Sequence, residues 1–141
     1  MITQPDQRWQ ILLDEIKYSR EVGSCIYKLY CGKKYLIIKG KSLAGSIFIL
    51  QLGHTAALSE GGGGKWRTHK QQQEWDDKKN QYYFKFYKWI NRWKEFPFTV
   101  EVILESTDHF ELLKTEHELL RSTFRDKKNL NNNIDAYIPK F

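Results

Sequence analysis

A chain of 141 residues is the size of one domain, and with 40% apolar and 15% aromatic residues it has enough to bury a core. No apolar run approaches the 18 residues of a membrane-spanning helix, and the opening MITQPDQRWQ lacks the basic-then-apolar layout of a signal peptide, so neither a membrane anchor nor signal-directed secretion is expected. The net charge of +6 falls in one place: residues 65–94 hold nine basic residues against three acidic ones, together with four of the five tryptophans.

In chain order, residues 7–20 place Trp9, Ile11, Leu12, Ile16 and Tyr18 at helical spacing and predict a short amphipathic helix. Residues 25–31 and 34–39 are β-branched and aromatic and flank Gly32-Lys33, which predicts a hairpin with Cys25, Tyr27 and Leu29 on one face and Ile26 and Tyr30 on the other. Cys25 and Cys31 in one strand would stand about 20 Å apart at roughly 3.3 Å per residue, too far for a disulfide, so two free thiols in a reducing compartment are expected. The four histidines show no metal-ligand spacing.

Residues 43–52 are apolar nearly all round and read as a buried helix ended by Gly53, with a strand as the alternative. The stretch of about 55–65 contains Gly61 to Gly64 and reads as a mobile loop. No Walker phosphate loop is present: Lys65 is followed by Trp66, and Tyr35 stands where Gly40-Lys41-Ser42 would need its first glycine. Residues 72–94 carry Trp75, Tyr82, Tyr83, Phe86, Ile90 and Trp93 at helical steps, with Lys78, Lys79, Lys85, Lys88 and Arg92 off that stripe. Residues 98–105 alternate as a strand. Asp108 and Glu111 form the pattern of a capping box opening a helix to about Phe124. Residues 126–141 read as an irregular tail. The expected fold class is therefore α+β, one domain over 1–141: a small sheet of a hairpin plus a third strand, flanked by helices and preceded by an extra N-terminal helix.

Cys25-Ile26-Tyr27 is followed by ten residues and then by Ile38-Lys39-Gly40-Lys41-Ser42. This resembles the GIY-YIG endonuclease pattern, in which GIY precedes YIG by ten or eleven residues and a serine follows shortly after. The family core of strand, strand, helix, helix, strand, helix would cover 24 to about 125. Glu116 ahead of Leu130-Asn131 resembles that family's glutamate helix and its "LN" ending. The resemblance implies Tyr27 as the first catalytic tyrosine and Glu116 as ligand of Mg²⁺ or Mn²⁺, with Tyr35 and His54 as weaker substitutes. It also exposes gaps. Ile38 stands where the second tyrosine should be, and Leu43 to Thr55 contain no arginine to stabilise a cleaved phosphate. The plainer readings are a core tyrosine at Tyr27 and a Glu116 paired with Lys114 or Arg121.

The resemblance therefore implies a catalytically degenerate GIY-YIG-fold protein of the kind found in tailed bacteriophages. Such a protein would be structural or accessory, needing no cofactor, bound to other virion or capsid proteins, and located in the virion or host cytoplasm. Two alternatives stand beside it. One is a metal-dependent DNA endonuclease using Tyr27 and Glu116. The other is a non-catalytic DNA-binding module that uses Lys65, Arg67, Lys78, Lys79, Lys85, Lys88 and Arg92 on phosphates, and Trp66 and Trp75 for stacking.

Overall fold

The computed structural model describes residues 6–58 and 83–131. Its elements run α1 (Gln7–Ser19), β1 (Cys25–Cys31), β2 (Lys34–Gly40), α2 (Leu43–Leu58), α3 (Phe84–Arg92), β3 (Phe98–Glu105) and α4 (His109–Thr123). The fold is α+β: the three strands form one antiparallel sheet in the order β2-β1-β3.

The hairpin forms as its turn residues dictate. Cys31 pairs with Lys34 across a two-residue loop, and Gly32 takes a positive φ of 66° that a side chain would resist. A Cβ there would also meet the Phe96 ring at 2.6 Å. Strand β1 is central, paired along both edges, and packing covers both of its faces. Cys25, Tyr27, Leu29 and Cys31 join Trp9, Leu12 and Ile16 of α1, Ile47 and Leu50 of α2, and Phe86 and Ile90 of α3 in the larger core. Ile26 joins Tyr35, Ile37 and the α4 residues Leu112 and Leu120 in a smaller core on the other face. The alternation expected along β1 is the one found.

Several expectations are corrected. The α1 stripe is narrower than its spacing suggests, for Ile11 and Tyr18 are exposed. Helix α2 does not end at Gly53 but continues to Leu58, so the glycine-rich loop cannot begin at 55. Gly53 is a close-packing residue, since a Cβ there would run into the Tyr87 hydroxyl. Nor is α2 buried all round: Phe48, Ile49 and Leu52 are each at least half exposed. The capping box is half formed. Asp108 accepts from the amides of Phe110 and Glu111, but the Glu111 carboxylate accepts from the Ser106 hydroxyl instead of reaching back to Asp108.

The start of the tail is ordered by the sheet. The Tyr35 amide donates to the Lys128 carbonyl, and the Leu130 amide donates to the Tyr35 carbonyl, making a parallel bridge along the free edge of β2. The Asn131 side chain continues this bridge, accepting from the Ile37 amide and donating to the Ile37 carbonyl, both at 2.8 Å. Of the expected long helix over 72–94, the described part is α3, which ends at Arg92, two residues short of the expected end; residues 59–82 lie outside the described residues.

Candidate nucleic-acid interface

Tyr27 and Glu116 stand on opposite faces of the sheet. Tyr27 has no exposed surface, and its hydroxyl lies 2.5 Å from the Ser46 hydroxyl. Burial pushes its ionisation well above that of a free tyrosine, which the bond with Ser46 only partly offsets. Glu116 sits one helical turn from both Leu112 and Leu120, on the side of α4 that packs against Ile26, Tyr35 and Ile37. Burial raises its pKa, while the neighbouring Lys39 and His117 work against that rise. The nearby Lys39 ammonium disfavours a divalent cation at this carboxylate. Among the described residues no three His, Cys, Asp or Glu side chains gather closely enough to hold a metal ion.

Tyr35 and His54, the weaker substitutes, are also committed elsewhere. The Tyr35 hydroxyl donates to Asp126 at 2.7 Å. His54 is 2% exposed and tethers three helices. The indole N–H of Trp9 can only donate, so His54 Nδ1 must accept, at 3.0 Å. The proton of the neutral ring then sits on Nε2 and donates to Asn91 Oδ1 at 2.6 Å. Protonating Nδ1 would set two donors head to head, and burial already pulls the imidazole below its ordinary value of 6.5, against the bond with Asn91 that raises it. A base with a lowered folded-state pKa binds protons more readily when unfolded. Its stabilisation is therefore whole above pH 6.5 and is lost as the pH falls from 6.5 through the folded-state value. The loss is about 1.4 kcal/mol for each unit separating the two values. The variant His54→Gln, which keeps an acceptor for Trp9 but does not titrate, is expected to lack this component when urea unfolding is compared at pH 7.5 and 5.5. An identical pH dependence in both proteins would refute the assignment.

The stretch Gly40–Ser42 and the start of α2 form one wall of a pocket of about 470 Å³ whose other lining includes Ile38, Ser46 and Ile49. This is where the resemblance would put a phosphate, yet the helix N-terminus has spent its donors. The amide of Leu43 goes to the Val22 carbonyl, that of Ala44 to Glu21, and those of Gly45 and Ser46 to the side chain and carbonyl of Ser42. Among the described residues no arginine lines it.

A second pocket, of about 540 Å³, is different in kind. One wall is α3, where Lys85, Lys88 and Arg92 fall on one face at helical spacing, opposite the buried Phe86 and Ile90. The other wall is the segment leaving α4, with Phe124, Arg125, Lys127 and Leu130, and the hairpin end adds Lys34. Among the described residues, six cations therefore line the pocket with one carboxylate, Asp126. That carboxylate is held below the usual range because it accepts from the Lys128 amide and the Tyr35 hydroxyl.

The walls are fixed from behind. Arg8, 9% exposed, spends all five N–H donors. It donates to both carboxylate oxygens of Asp6 and to the carbonyls of Ile90, Trp93 and Phe96, tying down the C-terminal end of α3. Trp89 donates to the Cys31 carbonyl at 3.0 Å, and the Lys34 ammonium lies 4.3 Å from its ring centroid. The bridge of residues 128–131 to β2 anchors the opposite wall.

Of the expected binding residues, the structure brings Lys85, Lys88 and Arg92 to this pocket. Lys65, Arg67, Lys78, Lys79, Trp66 and Trp75 lie outside the described residues. Lys34, Arg125 and Lys127 are binding candidates that the sequence did not mark. Each is an ordinary isolated cation until β2 and α4 deliver it beside α3. Comparisons with family models, curated proteins and solved structures find no match for this chain.

Proposed function

We propose that this protein is a non-catalytic nucleic-acid-binding protein whose fold descends from a GIY-YIG-like layout. The observation that carries the reading is the pocket whose described lining holds six cations and one occupied carboxylate. Phosphate neutralisation with counterion release is what such a surface does best. The nuclease alternative is disfavoured because Tyr27 and Glu116 serve opposite cores, and among the described residues no arginine lines the pocket beside Ser46.

The test is fluorescence anisotropy of labelled DNA at stepped salt. Log affinity is expected to fall linearly with log salt, and binding indifferent to salt would defeat the electrostatic reading. In parallel, supercoiled and single-stranded DNA should survive incubation with Mg²⁺ or Mn²⁺. Cleavage abolished by Glu116→Ala would restore the enzyme.

A role as a virion accessory protein, which the resemblance implies, is a second reading. It is favoured by Phe48, Ile49 and Leu52, which give α2 an exposed apolar face suited to a neighbouring protein. A photocross-linker at position 48 that captured capsid subunits in intact particles would support it, and the absence of any cross-link there would remove it.

A further inference from the structure

We infer that the basic pocket takes single-stranded nucleic acid in preference to duplex, with one base stacked on Phe124. This rests on the nucleic-acid-binding reading and specifies its ligand.

The first argument is shape. To read a duplex, a basic helix must stand clear of the surface and enter a major groove about 12 Å wide. The basic face of α3 does not stand clear. It is one wall of a concavity whose other wall is the segment after α4. At about 540 Å³ the space is in the range of small-ligand sites, room for a nucleotide unit but not for a double helix.

The second argument is composition. Two aromatic residues, Trp89 and Phe124, line the same space as the cations. Phe124 is 38% exposed, a cost that a duplex, with its bases stacked inside, would not repay. A single strand offers phosphates and unstacked bases together, which is the pairing of groups that cationic grooves with aromatic platforms accept.

The third argument concerns what cannot be read. The Asn129 amide donates to Thr123 and accepts from the Asn131 amide, Asn131 is held by both backbone groups of Ile37, and Asp126 is occupied by Tyr35 and Lys128. The polar side chains of this wall are committed to the fold, which leaves stacking and phosphate contacts. The site therefore binds with little preference among bases.

The test compares a labelled 12-nucleotide oligo(dT), a mixed-sequence 12-mer and the corresponding 12-base-pair duplex, titrated with the full chain at one salt concentration. Both single strands are expected to bind at least tenfold more tightly than the duplex and within about threefold of each other. Phe124→Leu keeps apolar bulk but removes the ring face. It is expected to weaken single-strand binding by roughly tenfold, within the span typical of one stacked base, and duplex binding by less than twofold. Phe124→Ala should behave alike, with thermal unfolding confirming that both variants are folded. Duplex binding as tight as single-strand binding, or wild-type single-strand affinity in Phe124→Leu, overturns this inference and leaves the nucleic-acid reading standing. Failure to bind either form overturns both.

Discussion

Replacing Arg8 with leucine is expected to lower the stability of the fold by about 3–5 kcal/mol, the usual result of removing one partner from a buried ion pair. The loss has two sources. The Asp6 carboxylate keeps its charge without its partner, and the carbonyls of Ile90, Trp93 and Phe96 lose their donor at the end of α3. Arg8→Lys should recover little, because an ammonium group cannot span two carboxylate oxygens and three carbonyls from one position. Burial acts to raise the Asp6 carboxyl, but its bonds to Arg8 together outweigh burial and hold it below 3.8. The pair's contribution is therefore present above pH 3.8 and disappears as the pH falls through the lower, folded value. Urea denaturation of both variants provides the measurement. A loss below about 1 kcal/mol in Arg8→Leu would mean that the guanidinium is dispensable. Against a typical total of 5–15 kcal/mol, the expected loss would leave a marginal protein.

The second large effect concerns binding. The triple variant Lys88→Gln, Arg92→Gln and Arg125→Gln removes cations from both walls of the pocket. Affinity for a single strand should fall by about a hundredfold at low salt. The log–log salt slope should flatten by about two, since each lost phosphate contact on a single strand is worth roughly 0.7. All three side chains are exposed, so thermal unfolding should still show a cooperative, folded variant. A slope equal to that of the wild type would place the binding surface elsewhere on the molecule.

The hairpin, β3 and the order of elements were legible because local chemistry decides them: Gly32 sets the turn, and alternation sets the faces. Gly53 was misread because a glycine that allows Tyr87 to pack closely has the same local appearance as one that ends a helix. Asn131 sits in a run of asparagines that signals turn chemistry, and only the open edge of β2 turns it into a backbone clamp. Nothing in the sequence singled out Arg8. Its role needs carbonyls more than 80 residues away in the chain. The basic segment offered a polyanion partner as one alternative, but half of the pocket's cations come from outside that segment, so its concave form had no signature in the sequence.

The register shift in β3 bears on how the protein behaves at high concentration. Between Leu104, opposite Ile26, and Val102, opposite Tyr27, the residue Ile103 faces no partner on β1. A strand at the margin of a sheet with exposed Val102 and Ile103 would ordinarily invite a strand from another copy to pair with it. The extra residue twists that margin, and the exposed Glu101 and Glu105 put charge along it. The opposite margin is already occupied by residues 128–131. The sheet is thus closed on one side and blunted on the other, which suppresses edge-to-edge polymerisation in a chain that also exposes Phe48, Ile49, Leu52 and Phe110.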